Sequence, residues 1–101
     1  MELYTELPNN LRRYRKAMQL RQKDVALILG FKSEDRISLW EKGLAAPSIN
    51  NLFKLGCLYN IAPEELYKEL VQKVSFTINK RRHMRAKIVN APKYYHTVAT
   101  D

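Results

Sequence analysis

Apolar residues recur at helical spacing through the first seventy residues, in short blocks that Gly, Pro and Asn separate. The blocks predict five helices, at about residues 10–18, 22–29, 34–42, 49–59 and 63–70. Gly30 and Gly43 end the second and third helices, because glycine takes the left-handed conformation at a helix C-terminus without steric cost. Ser33 and Ser48 stand where they can cap the third and fourth helices. The pattern therefore predicts an all-α fold.

Beyond Leu70 the pattern supports two interpretations. The helical stripe that ends the fifth helix continues through Val74 and Ile78. The same stretch also alternates, since Val74, Phe76 and Ile78 stand two residues apart and are residue types that suit a strand. Ala91-Pro92 interrupts whatever structure precedes it. The sequence leaves open whether this extension is helical or partly disordered.

Charge divides the chain into two parts. The protein has 18 Lys and Arg against 10 Asp and Glu, a formal net charge of +8. Most of the excess lies in residues 71–101, which contain seven basic residues and one acidic residue, Asp101. We therefore expect a compact domain over residues 1–70 followed by a basic tail over residues 71–101. An excess of this kind favours polyanionic partners, of which nucleic acid is the commonest.

Several classes of protein are disfavoured by the composition. The only cysteine, Cys57, excludes an internal disulfide framework, and we expect it to pack half-buried on the fourth helix. No apolar run is long enough for a membrane span and no signal peptide is visible, so we expect a cytoplasmic protein at the nucleoid. No nucleophile–base grouping or glycine-rich phosphate loop is present. We therefore expect no enzyme activity, no cofactor and no metal site.

The second and third helices form the most informative motif. Gln22 begins the second helix, Ala26 follows four residues later, and Gly30 leads into a tight turn. Ile37 and Trp40 then mark the inner face of the third helix. Two short helices joined by a glycine-containing turn are typical of the helix-turn-helix, whose second helix enters the DNA major groove. The small side chain of Ala26 lets the two helices approach closely.

Together these residues resemble the Cro/repressor-type (XRE-like) helix-turn-helix family of bacterial and phage regulators, over about residues 11–66. The positions that support the resemblance are Leu11, Arg15, Gln22, Val25, Ala26, Leu29, Gly30, Ile37, Ser38, Trp40, Glu41, Gly43, Pro47, Ser48, Leu55, Tyr59, Ile61, Glu65 and Leu66. The resemblance implies a five-helix repressor-like bundle that contains the helix-turn-helix. It also implies that Arg15 and Glu41 form a structural ion pair, which connects the third helix to the first.

The chain departs from the pattern of this family in three places. The segment between Gly30 and Ile37 is one residue longer than the commonest form, which shifts the register of the base-reading residues by up to one position. Arg21 and Ala62 stand where the family usually has a residue that caps a helix. A lost cap costs on the order of 1 kcal/mol.

The resemblance implies two groups of DNA-contacting residues. Those expected to contact phosphates are Gln22, Lys23, Lys32, Lys42, Arg12, Arg13, Asn50 and Asn51. Those expected to read base edges are Ser33, Glu34, Asp35, Arg36 and Leu39. Arg36 suits a bidentate pair with guanine, and Leu39 suits a thymine methyl group. Glu34 and Asp35 either accept from cytosine N4 or only stabilise the helix dipole, and Arg36 has a surface pair with one of them as its alternative.

The function implied is sequence-specific binding of double-stranded DNA by a regulator of transcription, a repressor from a bacterium, phage or mobile element. It is expected to bind as a homodimer to half-sites about one helical turn apart. The basic tail then contacts flanking phosphates, or its apolar stripe forms the dimer contact. The alternative is an antitoxin or adaptor whose tail binds a partner protein, with DNA binding secondary. An RNA-binding adaptor is a third possibility that the same charge allows.

Overall fold

A computed structural model describes residues 6–89 of the chain, with side chains through Arg85. The described part contains six helices and no strand. They are α1 (Leu11–Ala17), α2 (Gln22–Leu29), α3 (Asp35–Lys42), α4 (Ile49–Tyr59), α5 (Pro63–Leu66) and α6 (Lys68–Val89). The all-α prediction is confirmed. No described helix combines the length and the hydropathy needed to cross a membrane.

The helix bounds follow the local signals where those signals are strong. The bounds of α2 and α4 are those predicted, with Gly30 and Asn60 in the left-handed conformation at their C-termini. The Ser48 hydroxyl accepts a hydrogen bond from the Asn51 N–H at 3.2 Å, as expected of a cap. α3 begins one residue later than predicted, with Glu34 rather than Ser33 at the N-cap position.

The predicted fifth helix is two helices. α5 ends at Leu66 after a single turn, and Tyr67 leaves helical geometry with φ −126° and ψ 38°. A new helix, α6, then continues to Val89, so the strand alternative for Val74 to Ile78 is wrong. The described part of the chain therefore has six helices, and the extension that the sequence left open is helical through Val89.

The core is formed by one apolar face of each of the first five helices. Its buried side chains are Leu11, Val25, Ala26, Leu29, Ile37, Trp40, Leu55, Tyr59, Leu66 and Tyr67. Cys57 is exposed, so the expectation that it packs half-buried is wrong. The reason is helical geometry: Leu55 and Tyr59 are one turn apart on the inner face of α4, and Cys57 falls between them on the outer face.

The segment before α1 holds the end of α3. The Leu7 N–H donates to the Gly43 carbonyl at 2.8 Å. The Asn9 side-chain amide donates to the carbonyls of Leu7 and Trp40 at 3.0 and 3.2 Å, while its oxygen accepts from the Leu11 N–H at 3.1 Å. Asn9 thus joins the start of α1 to the C-terminus of α3.

Contacts divide the chain after Val71 into two compact units. The first contains the core and the helix-turn-helix. In the second, every described side chain from Gln72 to Arg85 is exposed, including the apolar ones of Val74, Phe76, Ile78 and Met84.

Candidate nucleic-acid interface

α2, the following turn and α3 form the candidate site. Five residues, 30–34, separate the two helices, and Gly30 turns the chain with a φ of 90°. The Phe31 N–H donates back to the Ala26 carbonyl at 2.8 Å, which closes the end of α2. The turn is therefore joined to the end of α2 by a backbone hydrogen bond, and α3 begins at Asp35.

α3 has a buried face and an exposed face. Ile37 is 2% exposed and Trp40 is 5% exposed, so both fix the helix against the core. All five candidate base-reading residues are exposed: Ser33, Glu34, Asp35, Arg36 and Leu39. The Ser33 hydroxyl lies 3.4 Å from the Asp35 N–H, at the long limit of a hydrogen bond. This surface is therefore open to a ligand and supported from behind.

Arg36 lies on an aromatic ring of the turn. Its guanidinium carbon is 4.8 Å from the centroid of the Phe31 ring, within the range of a cation–π contact. Phe31 in turn meets Trp40 edge to face, with ring centroids 5.8 Å apart and an interplanar angle of 73°. The hydrophobic pattern did not predict this contact, because Phe31 stands in a turn where helical periodicity does not apply.

The candidate phosphate-contacting residues lie on several elements. Those whose side chains are exposed are Arg12, Arg13, Lys23, Lys32, Lys42 and Asn50, while Gln22 and Asn51 are half-buried. Arg13 lies over the Tyr14 ring, with its guanidinium carbon 5.8 Å from the ring centroid. Gln22 differs from the others because its side-chain amide donates to Glu41 Oε1 at 3.0 Å.

Arg15 and Glu41 meet inside the domain. Arg15 Nε and Nη2 donate to the two oxygens of Glu41 at 2.6 and 3.0 Å, and Nη1 donates to the Leu20 carbonyl at 2.9 Å. The two side chains are 10% and 4% exposed. The hydrogen bond to Glu41 raises the pKa of Arg15 above its ordinary value, against the opposing effect of burial. Because Gln22 donates to the same carboxylate, Glu41 links α3 to both α1 and α2.

Asp24 supplies the cap that α2 lacks at Arg21. Its Oδ2 accepts the Arg21 N–H at 2.8 Å, which is the half of a capping box that an acid three residues into a helix provides. The Arg21 guanidinium donates to the same carboxylate from Nε at 3.1 Å and from Nη2 at 2.9 Å. These bonds lower the pKa of Asp24 to about 2. The spacing of Asp24 from the helix start was the signal that could have identified this cap.

Acid is expected to weaken the domain through Asp24. Because its pKa is lower in the folded chain than the ordinary 3.8, its contribution is present above about pH 4 and is lost as the pH falls toward 2. Urea unfolding at pH 5, 3 and 2 should therefore show a smaller loss of stability across this range in Asp24→Asn than in the wild type. Equal losses in both proteins would show that the Arg21 contacts do not stabilise the folded state.

The comparison with known proteins agrees with this geometry. A family model for the helix-turn-helix matches residues 11–66, more than half of the chain, from the first residue of α1 to the last residue of α5. No curated protein and no solved structure matches the chain. The chain therefore belongs to the Cro/repressor-type helix-turn-helix family of DNA-binding transcription regulators.

Proposed function

We propose that the protein is a sequence-specific repressor that places α3 in the major groove of double-stranded DNA. The observation that supports this most directly is the two-sided character of α3. Ile37 and Trp40 bury one face in the core, and the candidate base-reading residues occupy the exposed face. A helix that is supported by the core and has exposed polar side chains is what direct reading of base edges requires.

In this proposal, affinity comes from the elements that flank α3. The first N–H groups of α2 have no partner within the helix and favour an anion at its N-terminus. Gln22 stands there, and Lys23, Lys32 and Lys42 add exposed positive charge on α2, the turn and α3. Contacts of this kind set register and affinity, while the outward residues of α3 set sequence preference.

A homodimer completes the proposal. α3 has only eight residues, so one copy reads a short stretch of bases, and two copies on paired half-sites extend the sequence that is recognised. α6 offers a surface for pairing, because Val74 and Ile78 lie one turn apart on it and are 52% and 45% exposed. Bound as a dimer across a promoter, the protein would repress by excluding the polymerase.

The experiment that tests the function is selection of bound duplexes from a random DNA pool at physiological salt. We expect recovery of a related set of sequences with two half-sites about one helical turn apart. Recovery of unrelated duplexes would contradict sequence-specific binding. Displacement of the selected duplexes by an equal concentration of single-stranded RNA would favour the RNA-binding alternative.

Arg36→Ala is expected to relax the choice of one base pair in each half-site. Loss of a bidentate contact with guanine costs about 1–3 kcal/mol of discrimination at that position. The measurement is titration of labelled duplexes that carry each base pair in turn, at fixed salt. Lys42→Ala is the matched control, since loss of a phosphate contact weakens all duplexes alike. If Arg36→Ala keeps the wild-type ranking of duplexes, Arg36 does not read a base.

The basic part of α6 is expected to contribute to the salt dependence of binding. Replacing Lys80 and Arg81 by glutamine removes two phosphate contacts in this proposal, so the slope of log K against log salt should become shallower by about 1.8. Lys16→Gln with Lys54→Gln changes the net charge equally at two exposed positions on α1 and α4, and should leave the slope unchanged. Equal slopes in all three proteins would exclude this part of α6 from phosphate contact.

A second candidate function rests on the same helix. Phe76 and Met84 are 71% and 52% exposed in a segment that also has a cluster of basic residues. Such a surface suits an acidic partner protein with an apolar groove, as in the antitoxin alternative. Co-expression with the product of the neighbouring gene, followed by size-exclusion chromatography, distinguishes this function because only an antitoxin or adaptor would elute as a stoichiometric complex without DNA.

A further inference from the structure

The turn between α2 and α3 contains an aromatic ring that contacts Arg36. The guanidinium carbon of Arg36 lies 4.8 Å from the centroid of the Phe31 ring. Arg36 is exposed, and Phe31 is half-buried. The ring is therefore a platform at the edge of the exposed face of α3, next to the side chain best suited to guanine.

The platform is itself held by the core. The Phe31 ring meets Trp40 edge to face at 5.8 Å, and Trp40 is 5% exposed. The Phe31 backbone is fixed as well, because its N–H donates to the Ala26 carbonyl at 2.8 Å. A continuous series of contacts thus runs from the core through Trp40 and Phe31 to Arg36.

A contact with a ring does not use up the hydrogen-bonding capacity of an arginine as an ion pair does. The π face of the ring attracts the positive charge of the guanidinium, and its five N–H donors form no bond to a carboxylate in such a contact. An ion pair with Glu34 or Asp35 would instead occupy the donors that guanine O6 and N7 require. The Phe31 ring also restricts the rotamers of a long side chain, which reduces the entropy that Arg36 loses when it binds a base.

We propose that Phe31 is a positioning residue that determines specificity, because it holds the Arg36 guanidinium ready to read guanine. The inference rests on the proposed function, in which Arg36 contacts a base edge. Phe31 does not itself contact the base and acts only through Arg36.

The test compares Phe31→Leu with Phe31→Tyr. Leucine removes the ring face but keeps an apolar side chain against Trp40, whereas tyrosine keeps the ring. The measured quantity is discrimination at the base pair that Arg36→Ala identifies, that is, the ratio of affinities for duplexes with and without the guanine. We expect Phe31→Leu to lower this ratio about two- to fivefold, in line with a cation–π contact at an exposed site. Phe31→Tyr should keep the wild-type ratio.

Two further measurements separate positioning from folding. Affinity for unrelated duplex and its salt slope should be the same in Phe31→Leu and the wild type, since a purely structural defect lowers specific and non-specific binding together. In the Arg36→Ala background, Phe31→Leu should cause no additional loss of discrimination, because the two residues act through one contact. If Phe31→Leu does not fold, Phe31→Met provides the same comparison with a flexible apolar side chain.

The outcomes distinguish this inference from the proposed function. If Arg36→Ala loses discrimination while Phe31→Leu keeps the wild-type ratio, the positioning role is wrong and the function stands. If the wild type prefers no sequence, or if Arg36→Ala discriminates as the wild type does, the proposed base contact fails and the role of Phe31 fails with it. An additional loss from Phe31→Leu in the Arg36→Ala background would also overturn the inference.

Discussion

Glu41→Gln should be one of the most destabilising single substitutions in this domain, lowering the free energy of unfolding by about 3–5 kcal/mol. Glutamine has nearly the same size, so the change removes the charge and leaves the packing. The Arg15 guanidinium would then lose its ion pair at a site where the residue is only 8% exposed. Urea unfolding followed by circular dichroism measures the change, with an unaltered m value showing that the transition is comparable.

A double-mutant cycle shows whether the loss comes from the ion pair. Arg15→Met should cost a similar amount, because it leaves a carboxylate that is 4% exposed without a cationic partner. The double variant, with neither charge left unpaired, should lose much less than the sum of the two single changes. Additive losses would contradict the assignment of Arg15 and Glu41 as a coupled pair.

The surface pair of Arg21 with Asp24 is the natural comparison. Its side chains are 75% and 30% exposed, so solvent screens the charges and the side chains are free to move. Arg21→Met should therefore destabilise the protein far less than Arg15→Met, although both remove a guanidinium from a carboxylate at similar distances. The contrast separates the effect of burial from the effect of charge.

The helix ends that the sequence predicted correctly depend on interactions between residues that are close in the chain. The ends of α2 and α4 depend on Gly30, Ser48 and Asn60, each acting within a few residues of its own position. The break between α5 and α6 has no such local signal. Tyr67 leaves helical geometry at a position in the core where the residue is 8% exposed, so tertiary packing decides the conformation there.

Contacts between distant residues also divide into those that could be predicted from the sequence and those that could not. The pairing of Arg15 with Glu41, 26 residues apart, followed from the family resemblance and not from any periodicity. The use of Gln22 as a third member of that group did not follow, because its position suggested only a phosphate contact. Likewise, the contact between the Phe31 ring and the Arg36 guanidinium depends on the conformation of a turn, which a hydrophobic pattern does not specify.

Gly43→Ala is expected to destabilise the domain more than the same change at Gly30, although both glycines have positive φ, at 78° and 90°. A side chain in the left-handed region costs about 1–2 kcal/mol at either site. At Gly30, a new Cβ would meet nothing within 4 Å. At Gly43, it would lie 2.5 Å from the Leu7 carbonyl oxygen and 2.7 Å from the Leu7 nitrogen. These are backbone atoms, so the segment before α1 would have to move away.

Deleting residues 1–7 tests this explanation, because it removes the backbone that the new Cβ would meet. In the shortened chain, the cost of Gly43→Ala should fall to that of Gly30→Ala, since only the conformational strain remains. In the full chain, the difference between the two substitutions is then a lower limit on the free energy that holds Leu7 against the end of α3. If Gly43→Ala costs the same with and without residues 1–7, the close approach of the Leu7 backbone is not the reason that position 43 requires glycine. The requirement would then come from the left-handed conformation at the end of α3 alone.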